Sequence, residues 1–185
     1  MEWTIPGTVL TGPREDVESS IRQIQGMFLA GGMVRSQVAA ATGLESHYIQ
    51  NWVKRGFLSN PVNKRYSCRH FCRITIINML KSAMPMEKIC SLLSYVNGRL
   101  DDESDDLIDD TVLYFMFLRL ASRARHIGGT RSWDELLEEI LSDYDEPTPG
   151  ARERIDQVLR IMLTYWIAVQ TAHAADKMMA ALELP

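Results

Sequence analysis

The order of apolar and polar positions along the chain predicts a series of helices punctuated by glycine and proline. Val17, Ile21, Ile24 and Phe28 recur at spacings of four, three and four, with Gly12-Pro13 and two acids ahead of them and Gly31-Gly32 behind. That is an amphipathic helix with a start and a stop. A second helix is expected from about Ser36 to Ala41, ended by Thr42-Gly43, and a third from about Glu45 to Arg55, ended by Gly56. Phe57-Leu58, the turn-prone Ser59-Asn60-Pro61 and the run Val62 to Tyr66 predict two short extended segments forming a small hairpin over 58–67. Ser67 then caps a helix with Phe71, Ile74, Ile77 and Leu80 inside and Arg69, His70 and Arg73 outside. Pro85 opens another, running through Ile89, Leu92, Leu93 and Val96 to Asn97-Gly98.

Beyond Gly98 the pattern changes. An acidic run over 101–110 reads as a solvated linker and helix start, and Val112 to Ala121 is apolar around nearly its whole circumference, which marks a buried helix. Ser132-Trp133-Asp134-Glu135 is a capping box opening a helix through Leu136, Leu137 and Ile140, and Glu146 to Gly150 is a linker. A long helix follows from about Ala151 to Leu182, with Ile155, Met162 and Val169 at seven-residue steps and Val158, Tyr165 and Ala172 interleaved. This stripe either covers the Val112 helix within the chain or also pairs with a second copy, so Ile155, Val158, Met162, Tyr165 and Val169 are the candidate dimerisation face. The expected fold class is mainly α in four parts. A segment and helix over 1–32 packs on a helix-turn-helix module with a small β wing over 33–98; an acidic linker over 99–110 leads to a C-terminal helical region over 111–185.

Charge changes the picture most. Between Val34 and Lys81 there are eight basic residues against the single acid Glu45, a net +7 in a chain whose total is −4, so the remainder carries −11. Such asymmetry suggests a polyanion-facing module joined to an acidic body. If Ile49, Trp52 and Val53 face the core, the third helix turns His47, Gln50, Asn51 and Lys54 outward. Asn and Gln match the adenine edge, Lys the guanine edge or a phosphate, and His can donate to either, so this face suits a major groove. Arg55, Asn63, Lys64, Arg65, Arg69 and Arg73 are the candidate phosphate-binding residues, with Lys64 and Arg65 at the hairpin tip or return strand. Trp52 and Tyr66 are expected in the core between helix and wing. The acidic run could also compete with phosphate for Lys64 and Arg65.

Gln37-Val38-Ala39, Thr42-Gly43-Leu44, the run Ile49 to Gly56, Lys64-Arg65-Tyr66-Ser67 and Ile89 together resemble the winged helix-turn-helix of MerR-type transcription regulators. More closely, Asn51-Trp52-Val53-Lys54, Pro61-Val62 and Lys64-Arg65-Tyr66-Ser67 are similar to a bacterial family known only as a domain of unknown function and related to MerR. The resemblance covers about residues 33 to 97. It implies double-stranded DNA binding and transcription regulation; the acidic spacer and several helices that follow depart from the single long dimerising helix usual in MerR proteins.

Other chemistries find little support. Starting from Asp101, an EF-hand would need glycine where Asp106 stands and glutamate where Val112 stands. Cys68 and Cys72 share a helix face from which His70 points away, and a structural zinc wants four ligands. No phosphate loop, nucleophile elbow or His-Glu metal signature occurs, and His126 and His173 are isolated. The chain is therefore expected to be no enzyme and to use neither cofactor nor metal. The longest apolar run, 112–118, is interrupted by Arg119, short of the roughly 20 residues of a span, so no membrane partner is expected. The amino-terminal stretch lacks a secretory pattern, and three cysteines without framework spacing fit a reducing compartment, the cytoplasm. The expected partners are double-stranded DNA and a second copy of the chain, with a small-molecule or protein effector left open. The alternative is a protein interaction module whose basic face binds an acidic partner or which acts through its C-terminal helices.

Overall fold

A computed structural model describes residues 2–100, 102–124 and 132–182, and the expectations attached to Asp101 and His126 lie outside it. The described residues form a mainly helical structure with two small antiparallel sheets. A hairpin of β1 (Glu2–Thr4) and β2 (Thr11–Pro13) opens the chain. Gly12-Pro13 therefore closes a strand and starts no helix. The helix start lies at Asp16, whose carboxylate accepts from the Ser19 amide at 3.0 Å and caps α1 (Val17–Gly26). Three-residue strands are too short to show a period of two, which is why the pattern of the sequence misses them.

After the glycines, β3 (Met33–Val34) leads directly into α2 (Arg35–Thr42). Gly43, at φ 70°, ends α2 in the left-handed conformation, and α3 (Ser46–Lys54) follows. Ile49 and Trp52 of α3 are buried. The expected hairpin over 58–67 has a different partner. β4 (Arg65–Tyr66) pairs with β3, Met33 opposite Tyr66 and Val34 opposite Arg65, while 57–61 forms no strand. The turn itself is tight: the Arg65 amide donates to Val62 O at 2.9 Å, with Asn63 at φ 50° and Lys64 at φ 62° between them. Two positive φ values in a four-residue turn define type I′.

Next come α4 (Cys68–Leu80), α5 (Met86–Asn97), a 3-10 turn at Glu103–Asp105, α6 (Asp110–Arg123), α7 (Trp133–Ile140) and α8 (Ala151–Ala180). From Phe71 to Leu80 only Asn78 of α4 escapes full burial, and α6 is buried from Leu113 to Leu118. A helix buried around its circumference belongs in the middle of a fold. α4 and α6 pack on each other, and the other elements surround them in one continuous core running from Ile5 to Trp166. Each large side chain fully withdrawn from water there contributes about 1.5–3 kcal/mol.

α8 covers this core with Ile155, Val158, Leu159, Met162, Leu163 and Trp166. Ile155, Val158 and Met162 are therefore intrachain core and cannot form a dimer face; Tyr165 and Val169 are only half-buried. From Thr171 to Ala180 every residue of α8 is exposed, so the helix runs on past the body. No helix among the described residues is long and apolar enough to cross a membrane.

Candidate nucleic-acid interface

His47, Gln50, Asn51 and Lys54 are all exposed and share one face of α3, because positions three and four apart stack along a helix. The opposite face carries Ile49 and Trp52 into the core. His47 Nδ1 lies 3.2 Å from a Glu45 carboxylate oxygen, and its ring leans on Tyr48 at a centroid distance of 4.2 Å. Glu45 thus orients one of the four polar side chains and leaves the other three to solvent.

Beside the start of α3 is a cleft of about 570 Å³, lined by Arg35, Ser36, Ser46, Pro61, Lys64 and two apolar neighbours, Val34 and Tyr66. It brings together the first turns of α2 and α3 and the Asn63-Lys64 turn. Backbone amides at helix starts and the positive helix ends favour an anion there. Arg35, Ser36 and Ser46 were not singled out by the sequence; the available signal was a basic or hydroxyl residue at the first position of each short helix. Arg65 donates from Nη1 to Gly32 O at 2.9 Å, which holds its guanidinium against the β3 side of the turn. Among the described residues neither Lys64 nor Arg65 pairs with a carboxylate.

Three candidate phosphate ligands are engaged elsewhere. Arg73 is 6 % exposed, donates from Nε to Phe57 O at 3.1 Å and sits 3.3 Å from the Asp110 carboxylate, so it cannot reach a phosphate. Arg69 is held by Asp106 at 2.5 Å, with Asp109 at 3.5 Å and Asp110 at 3.7 Å. Arg55 pairs with Glu87 at 3.4 Å and lies over the Phe57 ring, 4.6 Å from its centroid. The expectation placed α4's basic residues outside because it took α4 for an amphipathic helix, whereas α4 is central. Buried charge must be compensated, and the acidic run does this. It is no solvated linker: Asp110 and Ile108 are buried, and the Leu107 amide donates to Val96 O at 2.7 Å. Nor, among the described residues, does it pair with Lys64 or Arg65. Burial pushes the Asp110 carboxyl above its ordinary range, against the pull of Arg73 and Arg69.

Lys81 stands at the other flank of α3, with Nζ 5.5 Å from the Tyr48 ring centroid and 6.0 Å from that of Trp52. Burial lowers its pKa. Trp52 and Tyr66 are core residues as expected, at 5 % and 4 % exposure. Cys68 and Cys72 approach to 4.0 Å along α4, and among the described residues no group of three or more His, Cys, Asp and Glu side chains could hold a metal ion.

Residues 31–117 match the model of a family described as a domain of unknown function, DUF1836. The matched span runs from just before β3 into α6 and so contains α3, the Asn63-Lys64 turn and the buried Arg73–Asp110 pair. The chain is also 28% identical over 121 residues to an uncharacterized protein of Bacillus subtilis (strain 168), YkrK, covering 63% of this chain and 51% of that protein. It thus spans about half the length of this curated relative. No solved structure matches.

Proposed function

We propose that the chain is a sequence-specific double-stranded DNA-binding protein, a bacterial transcription regulator of winged helix-turn-helix type related to MerR. In this reading α3 enters the major groove with Gln50, Asn51, Lys54 and His47 toward the bases. The type I′ turn is the wing, and Lys64, Arg65 and Asn63 meet the phosphates together with Arg35 from the cleft. The observation that carries it is the contrast between cations. Those of α4 are matched by carboxylates inside the fold and Arg55 by Glu87, while Arg35, Lys54, Lys64, Arg65 and Lys81, around α3 and the turn, are exposed and in no ion pair among the described residues. A merely solvated surface has no reason to concentrate unmatched positive charge beside a polar helix face in an acidic chain.

Selection of bound duplexes from a random pool tests this reading, with Asn51→Ala as the decisive variant. A bidentate base contact gives about 1–3 kcal/mol of discrimination, so the variant relaxes preference at one position per half-site and keeps non-specific affinity. Failure to enrich any motif, with binding that tracks acidic proteins instead, would select the protein interaction module.

Tight binding by so short a reading helix calls for two copies on a two-fold site. The pairing face must differ from the core stripe of α8. Ile161, Tyr165, Ala168, Ala172, Ala175 and Met179 alternate at spacings of four and three on the outer side of the helix, with Ile161 and Met179 exposed at 39 % and 58 %. That is heptad spacing. A double variant, Ala172→Glu with Met179→Glu, abolishes dimers in sedimentation equilibrium and leaves helix content unchanged, since both positions are exposed. A mass unaffected by the pair of charges removes this face.

A further inference from the structure

Between the overhanging end of α8 and the body lies a second, larger cleft of about 760 Å³. Its size is within the roughly 300–1,000 Å³ of small-molecule sites. The floor is aromatic and apolar: Trp3 and Trp166 meet edge to face at 6.4 Å, with Ile5 and Met79 alongside. The roof is polar. Where α8 would continue an apolar core face, the side over the cleft carries Gln170, His173 and Lys177. Arg14 adds a further positive charge, stacked on Trp3 at 5.5 Å, while its donors go to Ser122 O, Ala121 O and Ala124 O. Among the described residues no Asp or Glu lines the cleft, in a chain whose net charge is −4.

We infer that this cleft binds a small amphipathic organic anion: an aromatic or branched apolar body on Trp3 and Trp166, and a carboxylate or sulfonate at Lys177 and His173. Lys177 and His173 carry the hydrogen-bond donors, because Nε and Nη2 of Arg14 are directed at the end of α6. The site is mechanically joined to the α2–α3 turn. The loop after β1 forms part of the floor, and Asn78 Nδ2 donates to both Gly7 O and Thr42 O at 2.9 Å, while the Val9 amide donates to Ala41 O at 3.0 Å. Gly7 has no slack, since a Cβ there would stand 2.3 Å from Thr75 O. A ligand that moves this loop therefore moves the end of α2 and, through Gly43, the start of α3.

The test uses the full chain and needs no DNA, so its failure is separable from that of the proposed function. 1-Anilinonaphthalene-8-sulfonate is titrated and its sensitised emission from the tryptophans followed. One saturable site per chain is expected, weakened about tenfold by Lys177→Glu, in line with the loss of a charge-assisted hydrogen bond. Met178→Glu, exposed on α8 and outside both the cleft lining and the outer stripe, leaves the affinity unchanged. 1-Naphthoate displaces the probe and the neutral 1-naphthalenemethanol does not. An affinity indifferent to Lys177→Glu, abolished by Met178→Glu, or equally sensitive to the neutral competitor overturns the site. Saturating 1-naphthoate also alters hydrogen exchange in segments 5–10 and 40–46; unaltered exchange there overturns the coupling.

Discussion

Replacing Lys64 by glycine should move stability and DNA affinity in opposite directions. Lys64 sits at φ 62° and Asn63 at φ 50°, in a turn closed by the Arg65 amide on Val62 O. A left-handed residue with a Cβ costs about 1–2 kcal/mol. Asn recovers part of this through its short polar side chain; Lys has no such means, and the exposed Lys64 makes no ion pair among the described residues. Lys64→Gly removes the strain and loses about 0.5–1 kcal/mol to the freedom of glycine in the unfolded chain, so a net gain of up to about 1.5 kcal/mol is expected in urea denaturation. On duplex DNA the same change deletes one phosphate contact. The slope of log affinity against log salt should flatten by about 0.9, for every sequence alike. Lys64→Arg keeps the wild-type slope and the strain. A glycine variant less stable than wild type refutes the strain argument, and an unmoved slope takes the turn off the phosphates.

Arg73→Met leaves Asp110 buried without its main partner and should cost about 3–5 kcal/mol in urea denaturation, with no effect on the salt slope; a loss under about 1 kcal/mol contradicts the buried-pair account. Ser20 is buried and its Oγ has no partner among the described residues, so Ser20→Ala should stabilise by about 1 kcal/mol, and a loss of stability would reveal a hidden acceptor. The hydrogen bond from Arg119 holds Glu18 below the usual carboxylate range. Its stabilisation is therefore present above that range and lost as pH falls through the depressed value. With Glu18 half-exposed, the gap between wild type and Glu18→Gln should be at most about 1 kcal/mol at neutral pH and close in acid, as checked by denaturation at both.

What the sequence shows plainly here is what depends on a period. α3, α5, α6, α7 and α8 lie where apolar spacing and capping residues place them, and the exposed face of α3 follows from Ile49 and Trp52 alone. What it hides is partnership. Nothing near Arg65 says that its strand pairs with Met33–Val34, since that sheet forms across the two helices between them. Arg73 has the spacing of an outward residue relative to Ile74 and Ile77, yet α6 and the acidic segment close over it. The stripe Ile155, Val158, Met162 is visible in sequence, but whether it meets α6 or a second chain is decided by how much of α8 the body can cover.

The charge asymmetry of the sequence thus has two causes. Part of the positive excess over 34–81 is structural, because Arg69 and Arg73 and the carboxylates of Asp106, Asp109 and Asp110 neutralise one another across α4 and α6. What survives is Arg35, Lys54, Lys64, Arg65 and Lys81, all next to α3 or the turn and none in an ion pair among the described residues. These charges repel one another, and Lys81 is partly desolvated besides. A fold that matches its other basic residues with acids from a distant segment leaves this group unmatched at a cost to its own stability. In the proposed DNA-binding reading that cost is recovered when an external polyanion supplies the missing charge.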